Sequence, residues 1–258
     1  MSAVALHHVR SGAEDAPLLA LGSSLGTSLE MWDPVLDRLE RRHSLLRFDH
    51  RGHGGSPLPP GPSDIADLGG DVLELLDRLE LERVSYAGVS LGGMVGMWLA
   101  AHAPERIERL VCLCTSAHLP PPEAWAERAA AVRAAGTVAA VSEAVLARWF
   151  TPAYAAAHPD VIGWMGDMLA ACPPEGYAAL CGVIERLDLR PDLGAIVAPT
   201  LVVAAAEDPS TPPPHAEVIA AAVPGAHLEV LERGAHLAVI ERADEVVALI
   251  EDHLEGAR

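Results

Sequence analysis

Short apolar runs alternate with longer segments of helical periodicity over much of the chain. Buried strands are predicted where Val, Leu and Ile cluster between turn residues. The predicted strands are residues 3–9, 17–21, 44–48, 83–89, 107–114, 199–205 and 227–231. Apolar residues that recur every three to four positions predict amphipathic helices at residues 28–42, 65–79, 91–102, 213–223 and 241–254. Strands that alternate with helices predict an α/β protein with a mostly parallel, doubly wound sheet.

The pattern changes at residue 119. The segment 119–193 is rich in alanine and proline and contains no convincing strand. Helical patches within it are predicted at residues 123–135, 138–149 and 160–171. We therefore expect two core parts, residues 1–118 and 194–258, with an all-helical lid at 119–193 inserted over the strand ends.

The segment Gly88-Val89-Ser90-Leu91-Gly92 lies between a predicted strand and a predicted helix. This G-x-S-x-G pattern is typical of a sharp strand-to-helix turn that exposes a serine hydroxyl above a sheet. A side chain at Gly88 or Gly92 would collide with neighbouring backbone in such a turn. The segment predicts Ser90 as a nucleophile. The alternative is an ordinary glycine-rich turn whose serine only caps the helix.

A serine nucleophile needs a base that takes its proton and an acid that orients the base. In this architecture the acid and then the histidine follow the serine along the chain. Asp208 lies beyond the sixth predicted strand, where Glu207 competes with it, and we favour Asp208 because the proline-rich turn after it is rigid. His236, in a Gly-Ala loop before the last helix, is the predicted base, with His215 as the alternative.

An attacked carbonyl also needs donors for its developing oxyanion. The backbone N–H of Leu91, directly after the serine, is one predicted donor. We expect the other from Leu25, in the small-residue loop that follows the second strand.

The segment Asp49-His50-Arg51-Gly52-His53-Gly54-Gly55-Ser56 follows the third predicted strand. It lacks the G-x-x-x-x-G-K spacing of a phosphate-binding loop. His50 and His53 have no cysteine or further histidine nearby in sequence to complete a metal site. We therefore predict a structural loop and no metal site.

The chain carries 36 acidic residues against 18 basic ones, all of them arginine. This balance argues against nucleic acid and anionic membranes as partners, and it says little about a small-molecule substrate. We find no secretory signal, no apolar run of membrane-spanning length and no disulfide-framework spacing among the four cysteines. We expect a cytoplasmic protein that is a monomer or a small homo-oligomer.

Several runs carry a family likeness in addition to the segments at 88–92 and 49–56. They are Ser24-Leu25-Gly26-Thr27, Met31-Trp32-Asp33-Pro34, Arg148-Trp149-Phe150-Thr151-Pro152, Glu207-Asp208-Pro209-Ser210-Thr211-Pro212-Pro213 and Gly234-Ala235-His236-Leu237. With them the whole chain resembles the α/β-hydrolase fold superfamily and, within it, the 3-oxoadipate enol-lactonases of aromatic catabolism. The chain has Ser23-Ser24 where related hydrolases commonly have His-Gly.

The resemblance implies Ser90, Asp208 and His236 as a catalytic triad, without a cofactor. It implies a five-membered enol-lactone bearing a carboxymethyl group as the substrate, which water opens to 3-oxoadipate. In the usual serine mechanism the histidine deprotonates the serine, the serine attacks the carbonyl, and activated water then frees the acyl group. A general-base route, in which His236 activates water directly, stays open.

A carboxylate on the substrate is matched best by the fork of donors on a guanidinium. The candidate arginines of the lid are Arg128, Arg133, Arg148, Arg186 and Arg190. We hypothesise that Arg133 or Arg148 binds the carboxylate, while Trp149 walls the pocket and Ser24 also contacts the substrate. The alternative is a surface arginine paired with a glutamate of the lid.

Two other enzyme classes would use the same triad with a different lid pocket: general carboxylesterases and C–C bond hydrolases. A ligand receptor built on the hydrolase scaffold is a further alternative, in which lid closure matters and turnover does not.

Overall fold

Seven strands form one sheet in the computed structural model, which describes residues 3–256. The strands are β1 (His8–Ser11), β2 (Leu18–Gly22), β3 (Ser44–Phe48), β4 (Val84–Val89), β5 (Ile107–Leu113), β6 (Thr200–Ala205) and β7 (His227–Leu231). They lie in the order β1-β3-β2-β4-β5-β6-β7. Strand β1 pairs antiparallel with β3, and every other pairing in the sheet is parallel.

Helices flank this sheet. The α-helices outside residues 119–193 are α1 (Asp33–Leu39), α2 (Ile65–Arg78), α3 (Leu91–His102), α9 (Pro213–Ala222), α10 (Ala238–Glu241) and α11 (Ala243–Leu254). Helix α1 packs against α11, and α3 packs against α2 and lies on β4 and β5. The strands β3, β4 and β6 are buried along their whole length, which is why apolar residues predominate in them. The α/β, mostly parallel fold class is confirmed.

Five consecutive helices separate β5 from β6, and we call them the inserted helices. They are α4 (Pro122–Ala135), α5 (Ala139–Trp149), α6 (Pro152–Ala157), α7 (Pro159–Ala171) and α8 (Pro174–Glu185). Helix α4 packs along α8, and α5 packs along α7. Helices α6 and α8 were not predicted in this proline-rich segment. In both helices the proline stands in the first turn, where its missing N–H costs nothing.

Three other predicted elements have different bounds. The strand predicted at 3–9 begins at His8, because side chains already satisfy the preceding backbone: Val4 N–H donates to Asp71 Oδ1 (2.7 Å) and His7 N–H to Ser56 Oγ (2.9 Å). The helix predicted at 28–42 is a 3-10 turn, Leu29–Trp32, followed by α1, which has a proline in its first turn. The helix predicted at 241–254 starts at Ala243, because the non-helical backbone of Arg242 separates it from α10.

The strand order changes direction between β2 and β4. From β2 the chain moves outward to β3 and then crosses to the other side of β2 to form β4. In open α/β sheets, ligands bind beyond the carboxyl ends of the strands that flank such a switch point. The loops that follow β2 and β4 are therefore the expected walls of a site.

The 49–56 loop, after β3, is anchored to α2 by a buried ion pair. The guanidinium of Arg51 donates from Nε to Asp71 Oδ2 (2.6 Å) and from Nη2 to Asp71 Oδ1 (2.8 Å). Both residues are only 1% exposed. Burial raises the pKa of the Asp71 carboxyl, and the hydrogen bonds from Arg51 only partly offset this. The hydrogen bonds from Arg51 therefore favour the charged form of the buried Asp71 carboxyl.

Replacing Asp71 by alanine removes the carboxylate that is hydrogen-bonded to the buried Arg51 cation and leaves only Asp67 Oδ1, 3.9 Å from Arg51 Nη1, near it. We expect the free energy of unfolding to fall by about 3–5 kcal/mol, measured by urea denaturation. Asp244→Ala is a matched control, because it removes the partner of Arg38 from an exposed ion pair and should cost less than about 1 kcal/mol. If both variants lost a similar amount of unfolding free energy, the buried pair would not be more important for stability than the exposed one.

Candidate active site

The elbow, residues 88–92, turns the chain sharply from β4 into α3. Ser90 has φ 55° and ψ −114°, a conformation that L-residues rarely adopt. Two hydrogen bonds with residues near the end of β5 stabilise this strained conformation. Ser90 N–H donates to Leu113 O (2.9 Å), and Thr115 Oγ1 donates to Ser90 O (2.6 Å). This places Ser90 at the carboxyl end of β4, above the sheet.

The glycines of the elbow are required by close backbone contacts. A Cβ on Gly88 would lie 2.3 Å from the carbonyl carbon of Gly92, and a Cβ on Gly92 would lie 2.2 Å from Gly22 O, at the end of β2. Backbone atoms cannot move aside as a flexible side chain does, so any larger residue would displace strand and helix. The structure therefore confirms the prediction that a side chain at Gly88 or Gly92 would collide with neighbouring backbone.

Asp208 and His236 meet beyond the ends of β6 and β7. Asp208 Oδ2 lies 2.8 Å from His236 Nδ1. The other Asp208 oxygen accepts the N–H groups of Ser210 (2.7 Å) and Thr211 (3.1 Å). Thr211 Oγ1 donates to Oδ2 (2.6 Å) and lies 3.3 Å from His236 Nδ1. Burial acts to raise the pKa of Asp208, but His236 and Thr211 outweigh it and hold that pKa below its usual value.

Thr211 is a part of the site that the sequence analysis did not identify. A signal for it existed, since an aspartate followed by small hydroxyl residues commonly folds its carboxylate back onto the next backbone N–H groups. Glu207, the competing acid, is exposed. His215 instead has its Nδ1 2.7 Å from Ser116 Oγ. The structure thus pairs Asp208 with His236. The alternative acid, Glu207, and the alternative base, His215, take no part in this pair.

The loop after β2 lies beside the elbow, and we call residues 23–27 the β2 loop. Its Ser23 O accepts the N–H of Gly92 (3.0 Å) at the start of α3. Within residues 3–256, neither Leu25 N–H nor Leu91 N–H has a hydrogen-bond acceptor. Both residues are buried. Free backbone donors in such a position are costly unless a ligand or water accepts from them.

His50 and His53 bind the β2 loop from the 49–56 loop. His50 Nε2 lies 3.0 Å from Ser23 O, and Gly26 N–H donates to His53 Nε2 (3.0 Å). Burial lowers the pKa of each imidazole to about 4, so both are neutral near pH 7. Residues 3–256 contain no group of three or more His, Cys, Asp or Glu side chains arranged to hold a metal ion.

A cavity of about 440 Å³ is lined by the polar side chains of Ser24, Ser90, Thr211 and His236. Much of the remaining lining comes from the inserted helices and is largely apolar, with Trp149 and other side chains contributed by α4, α5 and α8. The space suits a small, partly apolar molecule whose reactive group faces the serine.

Two arginines line this cavity, Arg128 of α4 and Arg148 of α5, and no aspartate or glutamate of residues 3–256 lines it. Neither guanidinium has a carboxylate within 4.0 Å in the part of the chain that the structure describes. Arg128 stacks over Trp125, with its Cζ 4.6 Å from the ring centroid. The cavity therefore has two cations that no acidic side chain neutralises.

The structure does not bring Arg133 to this cavity, whereas Arg128 of the same helix lines it. Arg133 Nε donates to Glu175 Oε2 (3.0 Å) in an exposed ion pair, and its side chain borders a separate surface cavity between α4 and α8. It fits the alternative of a surface arginine paired with a glutamate.

The loop that carries His236 is bound to the end of α5. His236 N–H donates to Arg148 O (3.4 Å), and Leu237 N–H donates to Trp149 O (2.9 Å). Glu241 reinforces the contact, because its carboxylate accepts from Thr151 Oγ1 and Thr151 N–H and also from the backbone N–H before His236. The histidine and the wall of the cavity are thus parts of one hydrogen-bonded unit.

Comparison with known proteins agrees with this geometry. The profile of the alpha/beta hydrolase fold matches residues 17–143. The 3-oxoadipate enol-lactonase 2 of Acinetobacter baylyi is 37% identical over 229 residues, which are 89% of this chain and 85% of that protein. This chain belongs to the 3-oxoadipate enol-lactonase family of α/β hydrolases.

Solved structures resemble the whole enzyme. The enol-lactonase from Burkholderia xenovorans LB400 is 39% identical with a TM-score of 0.94, and the match covers 97% of this chain and 96% of that one. A hydrolase from Pseudomonas aeruginosa PA01 is 44% identical with a TM-score of 0.93, over 97% and 94% of the two chains. No helix of residues 3–256 has the length and apolar character needed to cross a bilayer.

Thr211→Val keeps the shape of the side chain and removes the hydroxyl that donates to Asp208. A hydrogen bond to a charged group contributes about 1.5–3 kcal/mol, so we expect kcat for p-nitrophenyl acetate to fall about 10- to 100-fold. Thr211→Ser keeps the hydroxyl and should retain most of the activity. Equal losses in the two variants would show that packing, and not the hydrogen bond, is what matters.

Proposed function

We propose that this enzyme opens a small carboxylate-bearing enol-lactone, converting 3-oxoadipate enol-lactone to 3-oxoadipate, with Ser90, His236 and Asp208 as its triad. The observation that carries the proposal is a cavity that holds Ser90 and His236 at one end and two unneutralised arginines in its walls. The names of the similar lactonases supply the substrate class.

In the proposed reaction, His236 takes the Ser90 hydroxyl proton through Nε2 while Asp208 holds the proton on Nδ1. Ser90 Oγ attacks the lactone carbonyl, and collapse of the tetrahedral intermediate breaks the ring C–O bond. The enolate oxygen leaves but stays attached to the acyl chain. The imidazolium of His236 returns its proton to this oxygen, and the resulting enol tautomerises to the ketone. Water activated by His236 then hydrolyses the acyl-enzyme, without a cofactor. Direct activation of water by His236 is the alternative route.

The N–H groups of Leu25 and Leu91 are the proposed oxyanion donors. Both lack an acceptor within residues 3–256, and they belong to the two loops that meet at the switch point of the sheet. Such donors stabilise the transition state because they already point to the place where negative charge develops. Ser24, which lines the cavity beside Leu25, is a proposed substrate contact.

Arg128 and Arg148 are the proposed partners of the substrate carboxylate, and Trp149 is a proposed wall of the binding pocket. Both guanidinium groups come from the inserted helices, as does Trp149. We therefore propose that the segment 119–193 acts as a lid that selects the substrate, while residues 1–118 and 194–258 supply the chemistry.

We also propose that the enzyme works in the cytoplasm as a monomer or a small homo-oligomer, on a small molecule and without nucleic acid or membrane partners. The four cysteines support this compartment, because all of them are free and buried. The surplus of acidic residues supports the absence of polyanionic partners.

Turnover of synthetic 3-oxoadipate enol-lactone tests the proposed activity. We expect ring opening by the wild type and a loss of about 10³-fold or more in kcat for Ser90→Ala. Ser85→Ala is a matched control, because Ser85 lies near the start of β4 and Ser90 directly follows the end of this strand. This variant should keep wild-type kcat. Fast hydrolysis of p-nitrophenyl esters without lactone opening would favour a carboxylesterase. Tight binding that survives in Ser90→Ala, with negligible wild-type turnover, would favour a receptor.

The carboxylate partners are tested by comparing the anionic lactone with a neutral p-nitrophenyl ester. A charge-assisted hydrogen bond contributes about 1.5–3 kcal/mol, so Arg128→Met and Arg148→Met should each raise KM for the lactone about 10- to 100-fold. KM for the neutral ester should change less than about twofold. Arg133→Met is the control on the same helix as Arg128 and should leave both values unchanged. Equal effects on the two substrates would refute the proposed anion site.

A further inference from the structure

We propose that His53 is a positioning residue, whose ring nitrogen accepts the Gly26 N–H and so holds the β2 loop in the shape that presents the Leu25 N–H to the oxyanion. This inference rests on the oxyanion role proposed above for Leu25. His53 lies outside the triad and does not line the cavity, so its effect on catalysis would be exerted through the loop alone.

The donor in this contact determines the form of the imidazole. A backbone N–H can only donate, so His53 Nε2, 3.0 Å from Gly26 N, must carry a lone pair. The ring proton is then on Nδ1, which lies 3.3 Å from the carbonyl oxygen of Arg51. A doubly protonated ring could not accept from Gly26. Complete burial favours the neutral ring, since it lowers the pKa of His53 to about 4.

Two successive peptide planes around Leu25 are fixed by different partners. The plane between Ser24 and Leu25, which contains the Leu25 N–H, is held by Thr27, whose N–H (3.2 Å) and Oγ1 (2.8 Å) both donate to Ser24 O. The plane between Leu25 and Gly26 is held by His53. With both planes fixed, the direction of the Leu25 N–H is determined.

The loop also has little room to adopt another shape. Gly26 has φ +84°, and a Cβ there would lie 2.8 Å from Leu169 Cδ2 and 2.9 Å from Tyr177 Cε2. Side chains of the inserted helices pack against the loop at Gly26, and His53 accepts a hydrogen bond from the same residue. Without an acceptor, the buried Gly26 N–H would be left unpaired at a cost of about 1–3 kcal/mol, which favours rotation of that plane.

His50 has the complementary contact at the other end of the loop. Its Nε2 lies 3.0 Å from Ser23 O, which also accepts from Gly92 N–H (3.0 Å) at the start of α3. That carbonyl is therefore held even without the histidine. The contact to Gly26 has no such second partner, which makes His53 the more sensitive of the two positions.

The test compares His53→Leu, which has no acceptor, with His53→Gln, whose Oε1 can occupy the place of Nε2. We expect His53→Leu to lower kcat about 10- to 100-fold, somewhat less than the ~10²–10³ lost with an oxyanion donor itself. KM should change less than about threefold. His53→Gln should recover kcat to within about threefold of the wild type.

His253→Leu is the matched control, because His253 is also buried and its Nε2 contacts a backbone oxygen, that of Pro199, at the opposite edge of the sheet. It should lower the melting temperature and leave kcat unchanged. If His53→Leu keeps wild-type kcat, the proposal is wrong. It is also wrong if Leu and Gln lose kcat equally, because His53 would then matter only for packing.

Two readouts separate this inference from the identity of the substrate. The rate at which a p-nitrophenyl phosphonate modifies Ser90 depends on the oxyanion donors and needs no lactone, so it should fall in His53→Leu even if the wild type opens no enol-lactone. Equal phosphonylation rates in wild type and variant would overturn the proposal. Long-range ¹⁵N–¹H NMR at pH 7 should find the His53 proton on Nδ1, and finding it on Nε2 would overturn the proposal independently of any activity.

Discussion

The close approach of two backbones at Gly22 and Gly92 is the constraint on which the rest of the site depends. Only the absence of a Cβ at position 92 lets the end of β2 lie against the start of α3. That contact brings the β2 loop and the elbow together, so the N–H groups of Leu25 and Leu91, which have no acceptor within residues 3–256, belong to adjoining loops. Tyr86 reinforces it by donating its hydroxyl hydrogen to Gly92 O (3.0 Å). Strand order alone would place these loops side by side, and the glycines set the distance between them.

Charge in the cavity opposes the charge of the whole molecule. The chain has a net charge of −18, yet the walls above Ser90 carry guanidinium groups and no carboxylate of residues 3–256. At physiological ionic strength, charges on the surface are screened beyond about 8 Å. An anion within the cavity is therefore influenced mainly by the nearby arginines. An overall surplus of acidic residues is compatible with a site for anions, because the cavity arginines act at short range and the more distant surface charges are screened.

The elbow, the acid and the histidine could be predicted from sequence because each depends on a local pattern at a strand end. Arg148 was also predicted and lines the cavity, but which arginine of α4 does so could not be predicted. Arg128 and Arg133 lie on one helix, five positions apart (133 − 128), and so point about 140° away from each other around its axis. Which of them faces the cavity is decided by how α4 packs on α8, a contact between segments distant in sequence. The contact of His53 with Gly26 was missed for the same reason, because it joins two loops that are distant in sequence. Thr211 was missed although Asp208, to which it donates, lies in the same loop.

The hydrogen bonds between the His236 loop and the end of α5 restrict how the cavity can open to admit a substrate. Tilting α5 outward would break the bonds from His236 and Leu237 to Arg148 and Trp149 and remove the Thr151 contacts with Glu241. His236 would then lose the backbone hydrogen bond that its own N–H donates. An access route that leaves α5 in place preserves these bonds, so within the inserted helices α5 is structurally a part of the loop that carries His236.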